Sequence, residues 1–209
     1  MSNAMHTAQQ YWNARSDLFA DYYKQPTLFD KLFRKAVYTR TAVALETIKG
    51  YDHPTILDIG SGPGVNSVTW IKNSNASFLT GIDFAESMNE YARKNAAAEG
   101  VGARCQFIQG DFMDERFSGN TFDVSVAVGV LDYIKDAASF LEKIDSVTNK
   151  AFVVSWPENG LRMMLRRYRY SCPLFHYTET DIRRLHGTCK IEALELVRLQ
   201  GGWVSIARK

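Results

Sequence analysis

The sequence has 209 residues, of which 45% are hydrophobic and 23% are charged, as is typical of a globular chain with a sizeable core. A formal net charge of +2 excludes a strong overall attraction to nucleic acid or to an anionic membrane. The sequence shows no run near the roughly 20 apolar residues that span a bilayer, no signal-peptide core and no paired cysteines. We therefore expect a cytoplasmic protein without a transmembrane segment, a disulfide framework or a metal site.

The first segment, residues 5–50, is helical in pattern and rich in aromatic side chains, and the four residues before it resemble an expression scar. Apolar residues recur at i, i+3, i+4 and i+7 from Phe29 to Ala36, and Ile48 extends the same face. The aromatic residues upstream, among them Tyr22, either pack the segment onto the rest of the protein or form a lid over a ligand. We predict an N-terminal helical arm and keep both interpretations of it.

Residues 51–209 alternate between strand and helix patterns and form the second segment, which we predict to be one domain. A basic, irregular insertion occupies about residues 158–177, and two strand-like runs joined at residues 201–202 close the chain as antiparallel neighbours. The pattern predicts an α/β fold with five parallel strands, crossover helices and a C-terminal hairpin. The predicted strands are 56–59, 78–83, 105–109, 122–128, 151–156, 191–199 and 203–207, and the predicted helices begin at 65, 85, 137 and 178.

The first predicted strand ends in Gly60, Gly62 and Gly64, which are separated by single residues and followed by a helix pattern. Glycine lets a ligand approach the backbone where a Cβ would clash, and such a strand–loop–helix unit binds nucleotide-like ligands. Two ligand classes fit this unit. A dinucleotide site requires G-x-G-x-x-G, but Val65 occupies the position of the third glycine. Asp83, at the end of the next strand, suits both classes because a carboxylate accepts hydrogen bonds from ribose hydroxyls.

Three features favour a ligand with an ammonium and a sulfonium group over a dinucleotide. Asp58 lies inside the first strand, where a dinucleotide site needs no carboxylate but a cationic ligand tolerates one. No basic residue that could pair with a pyrophosphate follows the loop before Lys72. The third strand ends in Gly110-Asp111-Phe112, which offers a carboxylate to an exocyclic amine and an aromatic face to a purine.

The sequence resembles class I S-adenosylmethionine-dependent methyltransferases in four segments that follow the family's order. They are I-L-D-I-G-S-G-P-G, G-I-D-F, Q-G-D-F and F-D-V-S-V-A-V-G-V-L-D-Y, and together they cover about residues 55–134. The resemblance implies a Rossmann-like, mostly parallel seven-stranded sheet with helices on both faces. It also implies S-adenosyl-L-methionine (SAM) as cofactor and S-adenosyl-L-homocysteine (SAH) as product.

The resemblance further implies a role for each matching residue. The glycine loop would surround the methionine moiety, Asp83 would bind the ribose hydroxyls and Asp111 the adenine amine. The aromatic residue that follows each of these acids would contact the adenine, and the end of the fourth strand would line the methyl-transfer cavity. The predicted cofactor-binding residues are Asp58, Gly60, Ser61, Gly62, Gly64, Asp83, Phe84, Met88, Gly110, Asp111, Phe112 and Val128.

The acceptor side carries less specific signals. Residues 130–133 lack the N/D-P-P-Y/F signature of amino-methylating DNA enzymes and the glutamate pair of protein arginine methyltransferases, which favours a small-molecule acceptor and not DNA. The insertion has an apolar stripe from Leu161 to Tyr168 and a basic opposite face. That basic face is either solvated or recognises an anionic or membrane-dwelling acceptor, or RNA. The predicted acceptor-binding residues are Tyr22, Tyr133, Arg166 and Tyr177.

A methyl donor that is already activated requires mainly positioning of the acceptor and exclusion of water, so no catalytic constellation is expected. A general base is needed only for an acceptor that is protonated at neutral pH. His176 is the candidate base because the unperturbed pKa of histidine lies near neutrality, and a structural role is the alternative.

We therefore predict a SAM-dependent methyltransferase that acts on an oxygen atom of a small, partly apolar acceptor. The alternatives are a non-catalytic SAM-binding module, an RNA methyltransferase and a nicotinamide-dependent oxidoreductase, the last disfavoured by Val65. We expect a monomer or a homodimer and leave peripheral membrane contact open. The arrangement of arm and insertion is also similar to that in methyltransferases of quinone and tetrapyrrole biosynthesis.

Overall fold

The computed structural model describes residues 35–117, 121–160, 163–164 and 172–209, with side chains from Tyr38 onwards. Most of the predicted arm, including Tyr22, and nine of the twenty residues of the insertion, including Arg166, lie outside these ranges. Statements about structure below refer to the described residues.

A seven-stranded sheet with helices on both faces forms the fold. The strands are β1 (Thr55–Ile59), β2 (Phe78–Asp83), β3 (Cys105–Gln109), β4 (Phe122–Ala127), β5 (Thr148–Pro157), β6 (Ala193–Leu199) and β7 (Gly202–Arg208). The helices are α1 (Lys35–Lys49), α2 (Val65–Asn73), α3 (Glu86–Ala98), α4 (Ala137–Val147) and α5 (Glu179–His186), with a 3₁₀ turn at Gly102–Arg104.

The strands are arranged in the order β3-β2-β1-β4-β5-β7-β6. The pairs from β3 to β5 are parallel, and β7 runs antiparallel to both β5 and β6. β1 lies between β2 and β4, so the chain order reverses at the carboxyl ends of β1 and β4. Such a reversal opens a crevice, and it is where open α/β sheets bind ligands. The predicted α/β fold with a C-terminal antiparallel hairpin is confirmed.

Two hydrophobic cores, one on each face of the sheet, hold the helices. Successive strand residues point to opposite faces, so Ile56 and Leu57 are both fully buried but belong to different cores. The Ile56 core receives Trp70 from α2, and the Leu57 core receives Phe140 from α4. Ile48, the last apolar residue predicted on the arm, is buried in the Ile56 core. The helices therefore cover both faces and leave the carboxyl ends of the parallel strands for function.

Several boundaries differ from the sequence predictions, among them one each of β4, β5 and β6. β4 ends at Ala127, before Val128, because the backbone turns at Gly129, whose φ is 81°. β5 begins at Thr148, directly after α4, because Thr148 pairs with Phe122 despite the polar composition of this start. β6 begins at Ala193, two residues later than predicted.

The insertion also differs from its predicted pattern where it is described. Met164, predicted on the apolar stripe, is 60% exposed. Met163 is buried instead, in a small cluster with Cys172 and Leu174 against which Tyr133 packs.

Candidate functional site

The loop after β1 is fixed to the end of β2 by backbone hydrogen bonds. The amides of Gly60 and Ser61 both donate to the carbonyl of Ile82, at 2.8 and 3.2 Å. The amide of Gly64 closes the loop onto the Ser61 carbonyl at 3.0 Å, and α2 begins directly afterwards. The loop therefore lies at the crevice between β1 and its neighbours.

The glycines of this loop have different surroundings. A Cβ on Gly60 would lie 2.6 Å from Cγ2 of Val130, and one on Gly64 would lie 2.8 Å from Cβ of Ala92 on α3. Both glycines are thus required by close packing within the protein. A Cβ on Gly62 would meet no atom within 4 Å, and its φ is +52°. The open side of the loop is therefore at Gly62, and this is where a ligand can contact the backbone.

Asp83 connects the end of β2 to this open side. Its Oδ2 accepts a hydrogen bond from the Gly62 amide at 2.9 Å, and its Oδ1 accepts one from the Ala85 amide at 2.9 Å. Burial raises the pKa of Asp83, although the two amide donors oppose that shift. Each carboxylate oxygen keeps a second lone pair, so the fixed side chain can still accept hydrogen bonds from two hydroxyl groups.

Asn89, which the sequence analysis did not single out, supports Asp83 from α3. Its side-chain amide donates to the carbonyls of Asp83 and Ala85, at 2.9 and 3.0 Å, and the side chain is fully buried. The segment between β2 and α3 is thereby held in one conformation. The predicted Met88 precedes Asn89 and is buried, whereas Phe84 is half-buried.

Asp58 is a buried carboxyl group on β1. The Ser67 hydroxyl, from α2, donates to its Oδ2. Burial, reinforced by the charge of Asp83, raises the pKa of Asp58 to about 7. A cationic ligand group bound near Asp58 would favour its charged form. The adjacent Ser61 hydroxyl is also buried and has no hydrogen-bond partner among the described residues.

The turn after β3 carries Asp111. The Gly110 amide donates to the Asp83 carbonyl at 3.0 Å, so the ends of β2 and β3 are joined. Asp111 is half-buried, and its Oδ1 accepts from the Met113 amide at 2.9 Å. No other described residue donates to its side chain, and burial raises its pKa. Two carboxylates thus border one crevice, and Asp111 has an oxygen available for a donor such as an exocyclic amine.

The Phe112 ring points away from solvent and into the core. It is 5% exposed and makes an edge-to-face contact with Phe140 of α4, with ring centroids 5.4 Å apart. It also packs against Phe117, at 6.2 Å. The structure thus gives Phe112 a packing role, and its proposed contact with adenine stays a prediction.

The segment after β4 forms the other wall of the crevice. Val128 is half-buried, and the Gly129 amide donates to the Ser155 hydroxyl at 2.8 Å, which ties this wall to β5. Asp132 is buried, and its carbonyl accepts from the Phe175 amide at 2.9 Å. The chain after the insertion is thereby brought back against the segment that follows β4.

The residues predicted on the acceptor side occupy different environments. The Tyr177 hydroxyl donates to the Ile134 carbonyl at 2.9 Å, and its ring packs edge-to-face on Trp156 at 5.1 Å. Burial and nearby carboxylates, Asp132 first, raise the pKa of Tyr177 to about 12. This hydroxyl is therefore neutral and engaged in a structural contact. His176 is exposed, as a base in contact with solvent or an acceptor would be.

Two further properties bear on function. Among the described helices, none has the length and apolar character to cross a bilayer. In the same part of the chain, no three histidine, cysteine or acidic side chains are grouped as they would be around a metal ion.

Comparison with known proteins agrees with this geometry. A family model described as a methyltransferase domain matches residues 56–151. A release factor glutamine methyltransferase from Chlorobaculum tepidum is 31% identical over 88 residues, which are 41% of this chain and 30% of the relative. A ubiquinone/menaquinone biosynthesis C-methyltransferase from Roseobacter denitrificans is 29% identical over 114 residues, covering 54% of this chain and 42% of the relative. The chain thus spans less than half the length of these curated relatives.

A solved structure matches nearly the whole chain. Magnesium protoporphyrin IX methyltransferase from Synechocystis, crystallised with bound SAH, superposes with a TM-score of 0.78 and covers 99% of this chain and 98% of its own. The two sequences are 17% identical, so the likeness establishes a common fold.

Proposed function

We propose that this chain, whose residues 56–151 match a methyltransferase domain, is a class I SAM-dependent methyltransferase that transfers the methyl group to an oxygen atom of a small, partly apolar acceptor. The observation that carries this proposal is the crevice itself, along which the open side of Gly62, the Asp83 carboxylate and the Asp111 carboxylate follow one another at the ends of β1, β2 and β3. The crevice lies where the strand order reverses, between β1 and β4.

The described residues fit the donor. Asp83 would bind the ribose hydroxyls, since both of its oxygens are oriented by backbone amides and keep a free lone pair. Asp111 would accept a hydrogen bond from the adenine amine through its available oxygen. The loop at Gly62 would contact the methionine moiety, with the buried Ser61 hydroxyl and the Asp58 carboxyl group close by.

When bound, SAM supplies a methyl group on a positively charged sulfur, which leaves as a neutral thioether. The protein then has to orient the acceptor atom and exclude water. Two features would orient the acceptor and exclude water. They are the wall made by Val128 and Gly129 and the buried cluster of Met163, Cys172 and Leu174. A carboxylate acceptor requires no base. A hydroxyl acceptor would give its proton to His176, which is exposed and follows that cluster in the chain.

Two of the names, those of the ubiquinone/menaquinone biosynthesis C-methyltransferase and the magnesium protoporphyrin IX methyltransferase, support a small-molecule acceptor, whereas the name of the release factor glutamine methyltransferase gives a protein acceptor. A partly apolar acceptor also suits the packing of Tyr133 against the Met163 cluster. Contacts of the acceptor with Tyr22 and Arg166, which lie outside the described residues, remain predictions. We also propose a cytoplasmic location and a monomer or homodimer, and leave peripheral membrane contact open.

The first test is calorimetric titration with SAH. We expect binding by the wild type, and we expect Asp83→Ala to weaken it by about 1.5–3 kcal/mol through loss of hydrogen bonds to a charged group. The matched control is Asp123→Ala, since Asp123 also accepts from a backbone amide, that of Thr55 at 3.0 Å, but lies at the amino end of the sheet. Failure of the wild type to bind SAH would refute the proposal, and an equal loss in both variants would remove Asp83 from the site.

A second measurement addresses turnover. SAM is incubated with the protein and a panel of aromatic and aliphatic carboxylic acids and phenols, and methylated products are identified by mass spectrometry. Products that carry the methyl group on oxygen are expected. Binding of SAH without methyl transfer to any class of acceptor would instead favour the non-catalytic binding module.

A further inference from the structure

We propose that Lys143 is a positioning residue for the adenine side of the site, acting by fixing the turn that carries Asp111. This inference rests on the proposed function, because it takes Asp111 as the residue that accepts from the adenine amine. Lys143 lies on α4, more than thirty positions further along the chain, and belongs to none of the motifs in the sequence.

The Lys143 ammonium holds the turn through two backbone carbonyls. Its Nζ donates to the carbonyl of Met113 at 2.8 Å and to that of Glu115 at 2.7 Å. The same Nζ lies 5.0 Å from the centroid of the Phe112 ring. One side chain therefore contacts three of the four residues that follow Asp111, and it does so from a separate helix.

The turn has its own hydrogen bonds, but they are all local. The amides of Asp114 and Glu115 donate to the Asp111 carbonyl at 3.0 and 2.9 Å, and the Met113 amide donates to Asp111 Oδ1 at 2.9 Å. Met113 thus receives a hydrogen bond from Lys143 at its carbonyl and donates one to the Asp111 carboxylate at its amide. Met113 therefore links the Lys143 ammonium directly to the Asp111 carboxylate that faces the crevice.

Two residues on one face of α4 contact the turn. Phe140 and Lys143 are three positions apart, so they are neighbours on the helix surface. Phe140 packs on the Phe112 ring, and Lys143 binds the carbonyls beyond it. Burial lowers the pKa of Lys143, while the charges of Asp111, Asp114 and Glu115 oppose that shift and favour the ammonium form. The acidic composition of the turn thus matches the cation that holds it.

The inference is tested by the preference for an amine at the adenine ring. Affinities are measured for SAH and for S-inosyl-L-homocysteine, in which oxygen replaces the exocyclic amine that Asp111 would bind. We expect the wild type to prefer SAH by at least about tenfold. Lys143→Met keeps most of the length of the side chain but removes its donors, and we expect it to lower this preference by about three- to tenfold. In an Asp111→Asn background, the same change should have no further effect on the preference.

Lys150→Met is the matched control. Lys150 is also half-buried, pairs with Asp123 at 3.1 Å and lies at the amino end of the sheet, so its loss should leave the preference unchanged. If Lys143→Met does not fold, Lys143→Gln is measured with the same expectation, and Lys143→Arg should retain the preference. A folded Lys143 variant that loses thermal stability but keeps the wild-type preference would overturn the inference. Absence of SAH binding by the wild type would instead refute the proposed function.

Discussion

Gly62 and Gly64 lie two positions apart in the chain, yet they have different surroundings and therefore different roles. Both have positive φ, 52° and 74°, so both are strained by any side chain. Only Gly64 faces protein atoms, because a Cβ there would lie 2.8 Å from Ala92 Cβ and 2.9 Å from its Cα. The helix α3 can approach the start of α2 because Gly64 lacks a side chain, whereas Gly62 leaves its space to a ligand.

This difference predicts different effects of two alanine substitutions. Gly62→Ala should cost about 1–2 kcal/mol of stability from backbone strain and should weaken SAH binding by at least about tenfold. Gly64→Ala should cost a further 1–3 kcal/mol or so, because the added methyl group overpacks the contact with Ala92. Urea unfolding gives the stabilities and calorimetry the affinities. Normal SAH binding by Gly62→Ala would show that the ligand does not pass over this glycine.

Single residues also mark the limit of what the sequence can predict. Asp83 and Asp111 were predicted because one ends a strand and the other closely follows one at the carboxyl edge of the sheet, and both lie at the crevice. Asn89 and Lys143 were missed because their side chains bond to backbone carbonyls of other segments, six residues away for Asn89 and thirty for Lys143, and no local pattern distinguishes them from solvated helix residues. The sequence thus identifies groups that point at a ligand more readily than the groups that hold them.

Among the elements, α5 shows how local signals can define a helix. Thr178 and Asp181 form a capping box, with the Asp181 amide donating to the Thr178 hydroxyl oxygen at 3.2 Å and the Thr178 amide to Asp181 Oδ2 at 3.0 Å. The helix has eight residues and buries only Ile182 and His186, so tertiary contacts alone support it weakly. The cap also fixes the end of the segment that carries His176 and Tyr177.

Removal of this cap should destabilise the protein without affecting the donor site. We expect Thr178→Ala to lower the free energy of unfolding by about 0.5–2 kcal/mol, the usual cost of losing a helix N-cap. Thr188→Ala is the control. Thr188 lies beyond the other end of the helix, where its exposed hydroxyl donates to the Leu185 carbonyl. Its effect should stay within about 0.5 kcal/mol. A weakened affinity for SAH in Thr178→Ala would contradict the separation of α5 from the donor site.

The strands show which element boundaries composition can define. β1, β2 and β4 were located well because central parallel strands are buried on both faces and are therefore rich in apolar residues. β5 was predicted to begin at residue 151, but it begins three residues earlier at polar Thr148, which pairs with Phe122 of β4. Pairing between strands, and not composition, determined this start.

At the scale of the whole molecule, the buried side chains of Asp58 and His186 make the free energy of unfolding depend on pH in opposite directions. Asp58 has a pKa raised to about 7, so the folded state retains its proton while an unfolded carboxyl group loses it. Its contribution therefore falls as the pH rises from about 4 to 7. His186 has a lowered pKa because burial disfavours its charged form, so the unfolded state binds more protons below its ordinary value of 6.5. Its contribution falls as the pH decreases below 6.5.

The surroundings of His186 explain why protonation is costly. The side chain is 1% exposed, stacks on Phe152 with centroids 5.8 Å apart and lies edge-on to Trp156. Nδ1 is 2.8 Å from the Ile182 carbonyl, and Nε2 has no hydrogen-bond partner among the described residues. A proton on Nε2 would therefore place a charge in the apolar layer between α5 and the sheet, with no acceptor for it.

We therefore expect wild-type protein to lose stability relative to His186→Met as the pH falls from 7.5 to 5, by up to about 1.4 kcal/mol per pH unit, the limit for one titrating group. Urea unfolding at each pH supplies the difference between the two proteins, in which the contributions of all other titrating groups cancel. Asp58→Asn is the converse control, because it removes a group whose pKa is raised. Over the same decrease in pH, the wild type should gain stability relative to this variant. A His186→Met difference that does not change with pH would mean that the buried ring keeps an ordinary pKa. The helix α5 would then have to admit water to Nε2.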